Sequence, residues 1–399
     1  MQKLETGSMD GIEARIYDTF SEADFEAFRH AYAALLDGGR EQVATSPRFF
    51  RALSEGNRSV LGPFVLVIYR DGQPEAMAIG RREAREIDLR VGLTALSRPR
   101  RRCLVVPEGG VLVKGGSASA ALSLWKALLK CLARGAFDAV AFQWLPLGSE
   151  FYRGAIRKAP WLLREYHPLV DKHWYTDLPA SLDELLARKS AKHRGNCRRA
   201  MRRIEGSEDP RFSLRVFRRE SEVDDLARDA DAVAARSYQR TWGGGFADED
   251  HIRGLLREAA RAGELLAYAL YAGDRPCAFQ IGIDHDGSHN LVYMAHDPDF
   301  GDYSPGTYLL LKCLEETCRS RVSAEVDYGW GGGSHKERFG TRYSMEACPT
   351  FFAPTLDGLA LSLALSAARI ATTCCRRAAE ALGVYGWWKR SRKRKRARP

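Results

Sequence analysis

The segment 304–340 holds the residues of this chain whose types and spacing best suit chemistry. It begins with a Pro-Gly turn that opens a helix, in which apolar residues recur at helical spacing. The first amides of a helix lack intrahelical acceptors and lie at the positive end of its dipole, so a phosphate can bind there. We therefore predict that a donor phosphate binds at the turn formed by Ser304, Pro305, Gly306, Thr307 and Tyr308. The last three of these residues are predicted to donate backbone N–H groups to it.

A short strand and a glycine run follow this helix and carry a carboxylate and a lysine. Asp327 lies near the end of the apolar strand 324–328, and Lys336 comes just after the glycines 331–333. A carboxylate beside flexible glycines can orient a lysine or hold an amine, and the lysine can neutralise a phosphate or polarise a carbonyl. A surface carboxylate and a solvated lysine are the alternatives. Both residues are therefore candidates for catalytic roles in a transferase that uses an activated acyl donor.

Acyl transfer to an amine also needs a group that takes the ammonium proton. His285, at the end of a predicted strand, has a suitable intrinsic pKa, and Tyr293 is predicted to protonate the leaving thiolate. His296 could relay a proton, although each histidine could equally be packed or simply exposed. No Ser/His/Asp or Cys/His grouping is identifiable in the sequence, so we expect direct attack on the donor without a covalent acyl-enzyme.

Composition and charge indicate a folded chain with basic patches. With 399 residues, of which 45% are hydrophobic and 28% charged, the chain is long enough for two domains. The net charge of +10 is concentrated in two runs of eight lysines and arginines, 188–203 and 389–398, which leaves −6 elsewhere. Nine cysteines without metal-ligand spacing predict neither a disulfide framework nor a metal site, and favour a reducing compartment. The apolar stretch 356–373 contains two charges, and we predict that it is too short and too polar to span a bilayer.

The two halves of the chain repeat one order of elements, which predicts two copies of an α/β unit. In the first half a hairpin, a helix and a strand are predicted at 64–80, 118–134 and 139–144. In the second half a hairpin, a strand, the Pro-Gly helix and a closing strand are predicted at 265–284, 290–296, 305–318 and 324–328.

Both basic runs predict contact with anions. Residues 182–203 read as one helix capped by Ser181, with cations nearly all around it, which suits a polyanion such as a pyrophosphate, tRNA or a lipid-linked phosphate. No interleaved aromatics or base-reading motif accompany them, which argues against sequence-specific recognition. The tail Trp387–Arg398 pairs two tryptophans with a basic run, a pattern typical of an interfacial anchor on anionic lipid. Nonspecific binding of nucleic acid and a merely solvated terminus are the alternatives for the tail.

The order of the motifs between residues 162 and 352 resembles a known family. The motifs are KSAKHRGNCRRAMRRIE, LLAYALYAGDRPCAFQIGI, NLVYMAHDPDF, SPGTYLL and VDYGWGGGSHKERFG. They are similar to the acetyltransferase-like family of the GNAT superfamily that includes cellulose-biosynthesis protein CelD. Fem-type peptidyltransferases, with two tandem GNAT units, are more distant relatives. Such relatives usually have a Tyr-Lys pair where this chain has His335-Lys336, and ordinary GNAT enzymes have a glycine-rich donor turn where Pro305-Gly306 stands here.

The resemblance implies an α/β fold of tandem GNAT-like units, with mixed, mostly antiparallel sheets flanked by helices. The implied domains are a degenerate N-terminal unit at 10–160, an acyltransferase unit at 161–353, an amphipathic helical extension at 354–385 and a basic tail at 386–399.

The implied function is transfer of an acyl group from acetyl-CoA or another acyl-CoA, without a metal. Asp327 and Lys336 stand at positions characteristic of the resembling family, which implies catalytic roles for both. The acceptor would be the amine of a sugar, an amino acid or an envelope or exopolysaccharide precursor. The implied location is cytoplasmic, with the tail on the inner face of the membrane. Two alternatives stay open: a Fem-like transferase that takes aminoacyl-tRNA through the helix 188–203, and a non-catalytic, membrane-associated scaffold of an exopolysaccharide pathway.

Overall fold

Two mostly antiparallel sheets of eight strands each, with helices packed on their faces, form the described part of the protein. The computed structural model describes residues 2–4, 12–36, 38–92, 94–160, 163–165, 167–208, 211–237 and 245–382. The predicted mixed α/β class is therefore confirmed. Trp242, an aromatic beside a glycine run that could stack on an acceptor, and the tail Trp387–Arg398 lie outside these residues.

The first sheet is built around the predicted hairpin, whose turn Asp71-Gly72 has positive φ at both residues and so matches the strand twist. Its strands in spatial order are β1 (Gln2–Leu4), β2 (Ile12–Tyr17), β3 (Val60–Arg70), β4 (Gln73–Glu86), β7 (Arg100–Val106), β9 (Ala139–Phe142) and β18 (Thr350–Phe352), and β8 (Val111–Val113) pairs with β4. The strands β5 (Leu89–Val91) and β6 (Thr94–Ser97) form a separate ribbon. The helices of this part are α1 (Glu22–Leu36), α2 (Pro47–Ser54) and α3 (Ala118–Ala133).

The second sheet carries the segment 304–340. Its strands in spatial order are β10 (Leu145–Pro146), β17 (Arg342–Cys348), β11 (Leu169–Asp177), β16 (Glu325–Trp330), β15 (Ser288–His296), β14 (Arg275–His285), β13 (Leu265–Ala272) and β12 (Phe212–Phe217). Its helices are α4 (Leu182–Ala187), α5 (Ala191–Glu205), α6 (Val223–Arg236), α7 (Asp250–Arg261), α8 (Pro305–Ser320) and α9 (Ser334–Phe339). The strands β15 and β16 are parallel and are joined by the crossover helix α8.

The two sheets exchange short strands. The late strand β18 pairs with β9 in the first sheet, where Phe351 is fully buried and its ring centroid lies 4.6 Å from that of Trp125. The early strand β10 pairs with β17 in the second sheet. Chain segments thus cross the predicted boundary at residues 160 and 161 in both directions, and that boundary stays a prediction.

The basic segment forms two helices, not the single predicted helix. Ser181 caps α4, as predicted, through a hydrogen bond that its Oγ accepts from Glu184 N–H. Ser190 then interrupts the helix, because its own Oγ accepts from His193 N–H and begins α5. The face of α5 with Ala200 is buried in the core, so the prediction of cations nearly all around the helix is wrong.

The C-terminal helix α10 (Leu356–Ala381) packs through Leu361 and Leu365 against the cluster that includes Phe352. Its stretch Leu356–Cys375 has a mean hydropathy of 1.4 and 33% of it is buried within the protein. By length and composition alone this stretch could cross a membrane, so the prediction that it is too short and too polar is not upheld.

Candidate functional site

The parallel strands β15 and β16 separate beyond the pair Asn290 and Asp327. Past this point, residues 291–293 of one strand and 328–330 of the other line a cavity of about 450 Å³, which we call the strand cavity. Glu108 and Lys336 also line it. The separation leaves two backbone edges facing each other without pairing, so an extended ligand with amide groups can fit between them.

Two β-bulges shape the walls of the strand cavity. On β15, Leu291 pairs with Gly282 and Tyr293 with Ile281, so the register gives Val292 no partner. On β16, Gly329 has φ of +72°, and its N–H donates to Asp327 Oδ1 over 2.6 Å. A bulge of this kind redirects a strand, and here it orients the carboxylate.

Lys336 is held beside the end of β16 by the short helix α9. Its Nζ donates to Gly329 O at 3.2 Å and to Trp330 O at 2.8 Å. Phe339 of the same helix is buried in the core, and Lys189 Nζ donates to the last carbonyls of the helix. Burial lowers the pKa of Lys336 to about 8, against the attraction of Asp327.

One imidazole joins three carboxylates at the wall of this cavity. His173 Nε2 lies 2.6 Å from Asp327 Oδ1, while its Nδ1 lies 2.9 Å from Glu346 Oε2 and 3.2 Å from Glu108 Oε1. The ring is fully buried and stacks on Tyr175 at 4.6 Å between centroids. Burial alone would lower the pKa of His173, but the hydrogen bonds to its carboxylate partners outweigh burial and raise the pKa to about 10. The ring is therefore an imidazolium near neutral pH.

Glu108 reaches this cluster from the first sheet, in the turn 107–110 between β7 and β8. A Cβ added at Gly109 would lie 2.5 Å from Gln42 Cγ, and one at Gly110 would lie 2.7 Å from a neighbouring backbone oxygen. Only glycine fits at these two positions, so the turn holds the carboxylate against the imidazole with little freedom. Burial raises the pKa of Glu108, and so do the nearby Asp327 and Glu346 carboxylates, while the imidazolium opposes the rise.

A second cavity, of about 330 Å³, lies beneath the same turn, and we call it the turn cavity. Glu108 and Trp144 line both cavities. Trp144 has a left-handed backbone with φ of +56°, and its indole stacks on that of Trp330 at 6.3 Å with an interplanar angle of 14°. One tryptophan follows β9 of the first sheet and the other ends β16 of the second, so the two meet at the junction of the sheets.

The same cluster contains a set of atoms with metal-ligand proximity. The ligand atoms of Glu108, His173 and Glu346 all lie within 4.8 Å of one another. His173 Nε2 is directed at Asp327, an arrangement also found behind metal-bound histidines. The imidazolium itself supplies positive charge between these carboxylates, and the cluster is explained without a metal.

The structure brings together three of the predicted catalytic residues. Asp327, Lys336 and Tyr293 all line the strand cavity. Burial raises the pKa of Tyr293 to about 12, which keeps the phenol protonated as its predicted role requires. That role stays a prediction.

His285 lies apart from them, at the far end of β14. Its Nδ1 is 3.2 Å from Glu264, its Nε2 is 3.2 Å from Glu41, and neither glutamate lines the strand cavity. Burial alone would lower the pKa of His285, but hydrogen bonds to both carboxylates raise it to about 9. An imidazole that is already protonated near neutral pH is poorly suited to take a proton, so its contacts favour a structural ion pair.

The predicted phosphate turn begins α8, but its amides are partly engaged. The N–H groups of Thr307 and Tyr308 donate to Ser304 O at 3.0 and 3.2 Å, so two of the three predicted donors serve the helix itself. Pro305 has no N–H, which leaves the Gly306 amide, with no acceptor among the described residues, for a ligand. A Cβ added at Gly306 would lie 3.6 Å from His296 Nδ1, and burial lowers the pKa of this histidine, so a neutral imidazole adjoins the turn.

A Cys–His–Asp grouping that the sequence did not reveal lies beneath α8. His289 Nε2 is 3.1 Å from Cys313 Sγ, and its Nδ1 is 2.9 Å from Asp284 Oδ1. Cys313 and His289 are fully buried and line neither cavity. Such a grouping is therefore present in the core, although it is not identifiable from the sequence. The grouping nevertheless offers a substrate no access, because the thiol is enclosed in the core.

Sequence reasoning missed Glu108, His173 and Glu346. A weak signal existed for Glu108, an acid followed by two glycines directly after a buried strand. His173 stands in a strand beside Trp174 and Tyr175, a setting that equally suits a packed histidine. Their proximity depends on the pairing of β11 with β16 and β17 and on the approach of the first sheet, which local patterns do not encode.

Comparisons with known proteins agree with this architecture. Residues 191–337 match the family described as Acetyltransferase (GNAT) domain. The crystal structure of FemX aligns with a TM-score of 0.53 at 10% identity, covering 80% of this chain and 95% of that one. A tandem GNAT protein from the clavulanic acid biosynthesis pathway aligns with a TM-score of 0.52 at 13% identity, covering 86% and 99%. No curated sequence matches the chain.

At these identities the structural likeness concerns the fold alone. The narrower resemblance to the CelD-type family stays a prediction. The chain has the fold of tandem GNAT proteins, and its residues 191–337 match the GNAT acetyltransferase domain.

Proposed function

We propose that the protein is an N-acyltransferase that moves an acyl group from acyl-CoA to a primary amine by direct attack. The observation that carries this proposal is the opening between β15 and β16, which has a half-buried lysine, Lys336, at its wall. The turn at the start of α8 follows one of these strands, β15, after the short segment 297–303. A thioester donor supplies the activated acyl group, and the residues of the chain bind and orient it.

Donor binding would use the backbone edges of the strand cavity. The amides of the donor arm can pair with residues 291–293 and 328–330 as an added strand does. The anionic end of the donor would lie at Gly306, next to His296. Arg203 donates to Asp302 O just before this turn, so a cation stands close to the predicted phosphate position.

Two groups are placed to stabilise the oxyanion that develops on the acyl carbonyl. Lys336 presents a half-buried ammonium group at the cavity wall, and the bulged Val292 has an amide outside the strand register. Donors of this kind act strongly in a site that excludes water. Among the described residues no cysteine lines either cavity, which favours attack by the amine itself over a covalent acyl-enzyme.

The experiment that tests donor binding is a thermal-shift titration with millimolar acetyl-CoA and longer acyl-CoAs. We expect a saturable rise in melting temperature that Gly306→Glu abolishes, since the new carboxylate would stand where the phosphate binds. Gly301→Glu is the matched control, because a side chain there meets no atom within 4 Å. Absence of a shift with every acyl-CoA, or an equal shift in Gly306→Glu, would contradict the proposal.

Aminoacyl-tRNA is the second candidate donor, and the exposed side of α5 favours it. Arg198, Arg199 and Arg202 are exposed on one face, while Ala200 and Ile204 are buried on the other. Such a face suits a polyanion. This donor would also be delivered as an activated ester, so the chemistry at the carbonyl would be unchanged.

The proposed acceptor rests on the family resemblance, and the proposed cellular location rests on that resemblance and on the C-terminal region. An amine of a sugar, an amino acid or an envelope precursor would suit a cytoplasmic enzyme attached to the inner membrane face. The apolar α10 leads into the basic tail and would support that attachment. A non-catalytic scaffold would bind anionic vesicles through the tail but give no thermal shift with any acyl donor.

A further inference from the structure

The turn cavity adjoins the strand cavity and has walls that suit an organic cation. The two cavities share the wall residues Gln42, Pro107, Glu108, Gln143 and Trp144. The turn cavity is lined by the aromatic side chains Phe142, Trp144, Phe151 and Tyr175 and by the carboxylates Glu108, Glu150 and Glu346. Aromatic faces and carboxylates together attract an ammonium group, which an entirely apolar cavity would exclude.

The carboxylates of the cluster differ in how far they are already satisfied. Asp327 Oδ1 accepts from His173 Nε2 and from Gly329 N–H, while Glu346 accepts from His173 Nδ1 and from Ser344 Oγ. Within the described part of the chain, Glu108 has one polar contact, 3.2 Å long, with the Nδ1 atom that Glu346 also approaches.

The exposed fractions of the three carboxylate side chains also set Glu108 apart from the other two. The side chain of Glu108 is 17% exposed, against 8% for Asp327 and 2% for Glu346. Glu108 is therefore the carboxylate of this cluster with acceptor capacity left for a ligand, and it stands where the two cavities meet.

We propose that the turn cavity is the acceptor site, that it binds a primary amine as the ammonium ion, and that Glu108 takes the ammonium proton. This inference rests on the proposed acyl transfer and names its substrate class and its base. The amine freed by Glu108 attacks the thioester carbon presented from the strand cavity. The C–N bond forms, the C–S bond breaks, and the second proton of the nitrogen passes to the leaving sulfur.

The other charged groups near Glu108 assist it, and Glu346 among them also lines the turn cavity. His173 from β11, Asp327 from β16, Glu346 from β17 and Lys336 from α9 surround it. Asp327 and Glu346 act through the imidazolium as positioning residues. The first sheet, predicted as a degenerate unit, thereby contributes the base and part of the acceptor wall to a reaction centred on the second sheet.

The first experiment measures amine binding without any acyl donor. The full chain is titrated with 1,4-diaminobutane and with n-butylamine at pH 7.5 in the presence of EDTA, and the tryptophan emission is followed. We expect a saturable change with the amines and none with n-butanol, because the alcohol carries no charge. Glu108→Gln should weaken amine binding at least 10-fold. Glu26→Gln, at an exposed position paired with Arg29 and outside both cavities, should change it less than about 2-fold.

The second experiment measures thiol release from acetyl-CoA in the presence of these amines across pH 6–9. Glu108→Gln should lower kcat about 10²- to 10⁴-fold, leave the KM for acetyl-CoA nearly unchanged, and remove the acidic limb of the pH profile. Glu108→Asp should keep amine binding and recover part of the rate. The melting temperature of Glu108→Gln should not fall, since the substitution removes charge repulsion among the carboxylates.

The outcomes separate this inference from the proposed function. Equal binding of n-butanol, no saturable amine binding, or wild-type turnover in Glu108→Gln would overturn the acceptor site. Amine binding that depends on Glu108, in a protein that binds no acyl-CoA, would support the acceptor site and overturn the acyl-CoA donor.

Discussion

His173 Nε2 lies 2.6 Å from Asp327 Oδ1. This contact joins β11 to β16 across 154 positions of the sequence, and Asp327 is the predicted catalytic carboxylate. The same carboxylate accepts from the Gly329 amide. Asp327 is therefore fixed by two donors, and its charge is balanced by a buried imidazolium. A carboxylate held in this way is better suited to position a neighbouring cation than to move.

Replacing His173 by Gln should destabilise the protein by about 3–5 kcal/mol, because it leaves buried carboxylates without their shared cation. Denaturant unfolding measures this change in the free energy of unfolding. His193→Gln removes a half-buried imidazole on α5 that contacts the ring of Phe339, and it serves as the control. Equal stability of the two variants would mean that the carboxylates are neutral without the imidazolium.

The stabilising effect of His173 should depend on pH. Its pKa is raised from about 6.5 in the unfolded chain to about 10, so its contribution is fully present below pH 6.5 and is lost as the pH rises through 10. We expect the difference in unfolding free energy between wild type and His173→Gln to shrink over this range. A difference that stays constant from pH 6.5 to 10 would show that the ring is not an imidazolium.

Lys336 should set the alkaline limit of activity. Burial lowers its pKa to about 8, and only the ammonium form can stabilise an oxyanion, so kcat should fall above pH 8. Lys336→Met should lower kcat about 10²- to 10³-fold at pH 7. Lys336→Arg keeps its charge and should retain some activity without the alkaline limb. If the fall in kcat above pH 8 persists in Lys336→Arg, it arises from the titration of another group.

The strand exchanged into the first sheet should carry much of the stability of that half. Phe351 is fully buried against Trp125 and Phe142, so Phe351→Ala should cost about 3–5 kcal/mol. Leu363→Ala, at a half-exposed position on α10, is the matched control. Native-state hydrogen exchange should show weaker protection in β9, its pairing partner. Weaker protection confined to the second sheet would contradict this prediction.

Binding of a polyanion to α5 should be measurable as salt dependence. Substituting Gln for Arg198, Arg199 and Arg202 should weaken tRNA binding and reduce the slope of log K against log salt concentration. The expected reduction is about 0.7–0.9 for each phosphate that the variant no longer neutralises. Gln at Arg29, Arg153 and Arg228 removes the same charge from exposed positions elsewhere. An equal effect of both sets of substitutions would mean that tRNA binding depends on the net charge of the protein and not on α5.

Elements with local signals were predictable from the sequence. The hairpins, the Pro-Gly helix and the strand with Asp327 follow from alternation, turn residues and helical spacing. The second hairpin, the helix and that strand agree with their predicted bounds within two residues, whereas the first hairpin extends beyond 64–80 to 60–86. The break at Ser190 was missed because continuous helical spacing masked a second cap within the basic run.

The carboxylate cluster was not predictable from one sequence. Glu108, His173 and Glu346 lie on separate strands or turns and meet through sheet pairing and the packing of the two sheets. Helix geometry predicts the binding turn, but helix geometry alone does not tell which amides the helix itself uses. In the structure Ser304 O takes two of them.

The exchange of β18 also sets an order of events during synthesis. Strand β9 ends at Phe142 and pairs with Thr350–Phe352, so more than 200 residues must be translated before the first sheet gains this strand. At about 5–20 residues per second, the gap lasts roughly 10–40 s. During that time β9 presents an open edge of Ala139–Phe142, an apolar stretch of the kind that pairs with other chains. A nascent chain of this protein would therefore depend on chaperone protection at the ribosome, and slowing translation after residue 142 should lower its soluble yield.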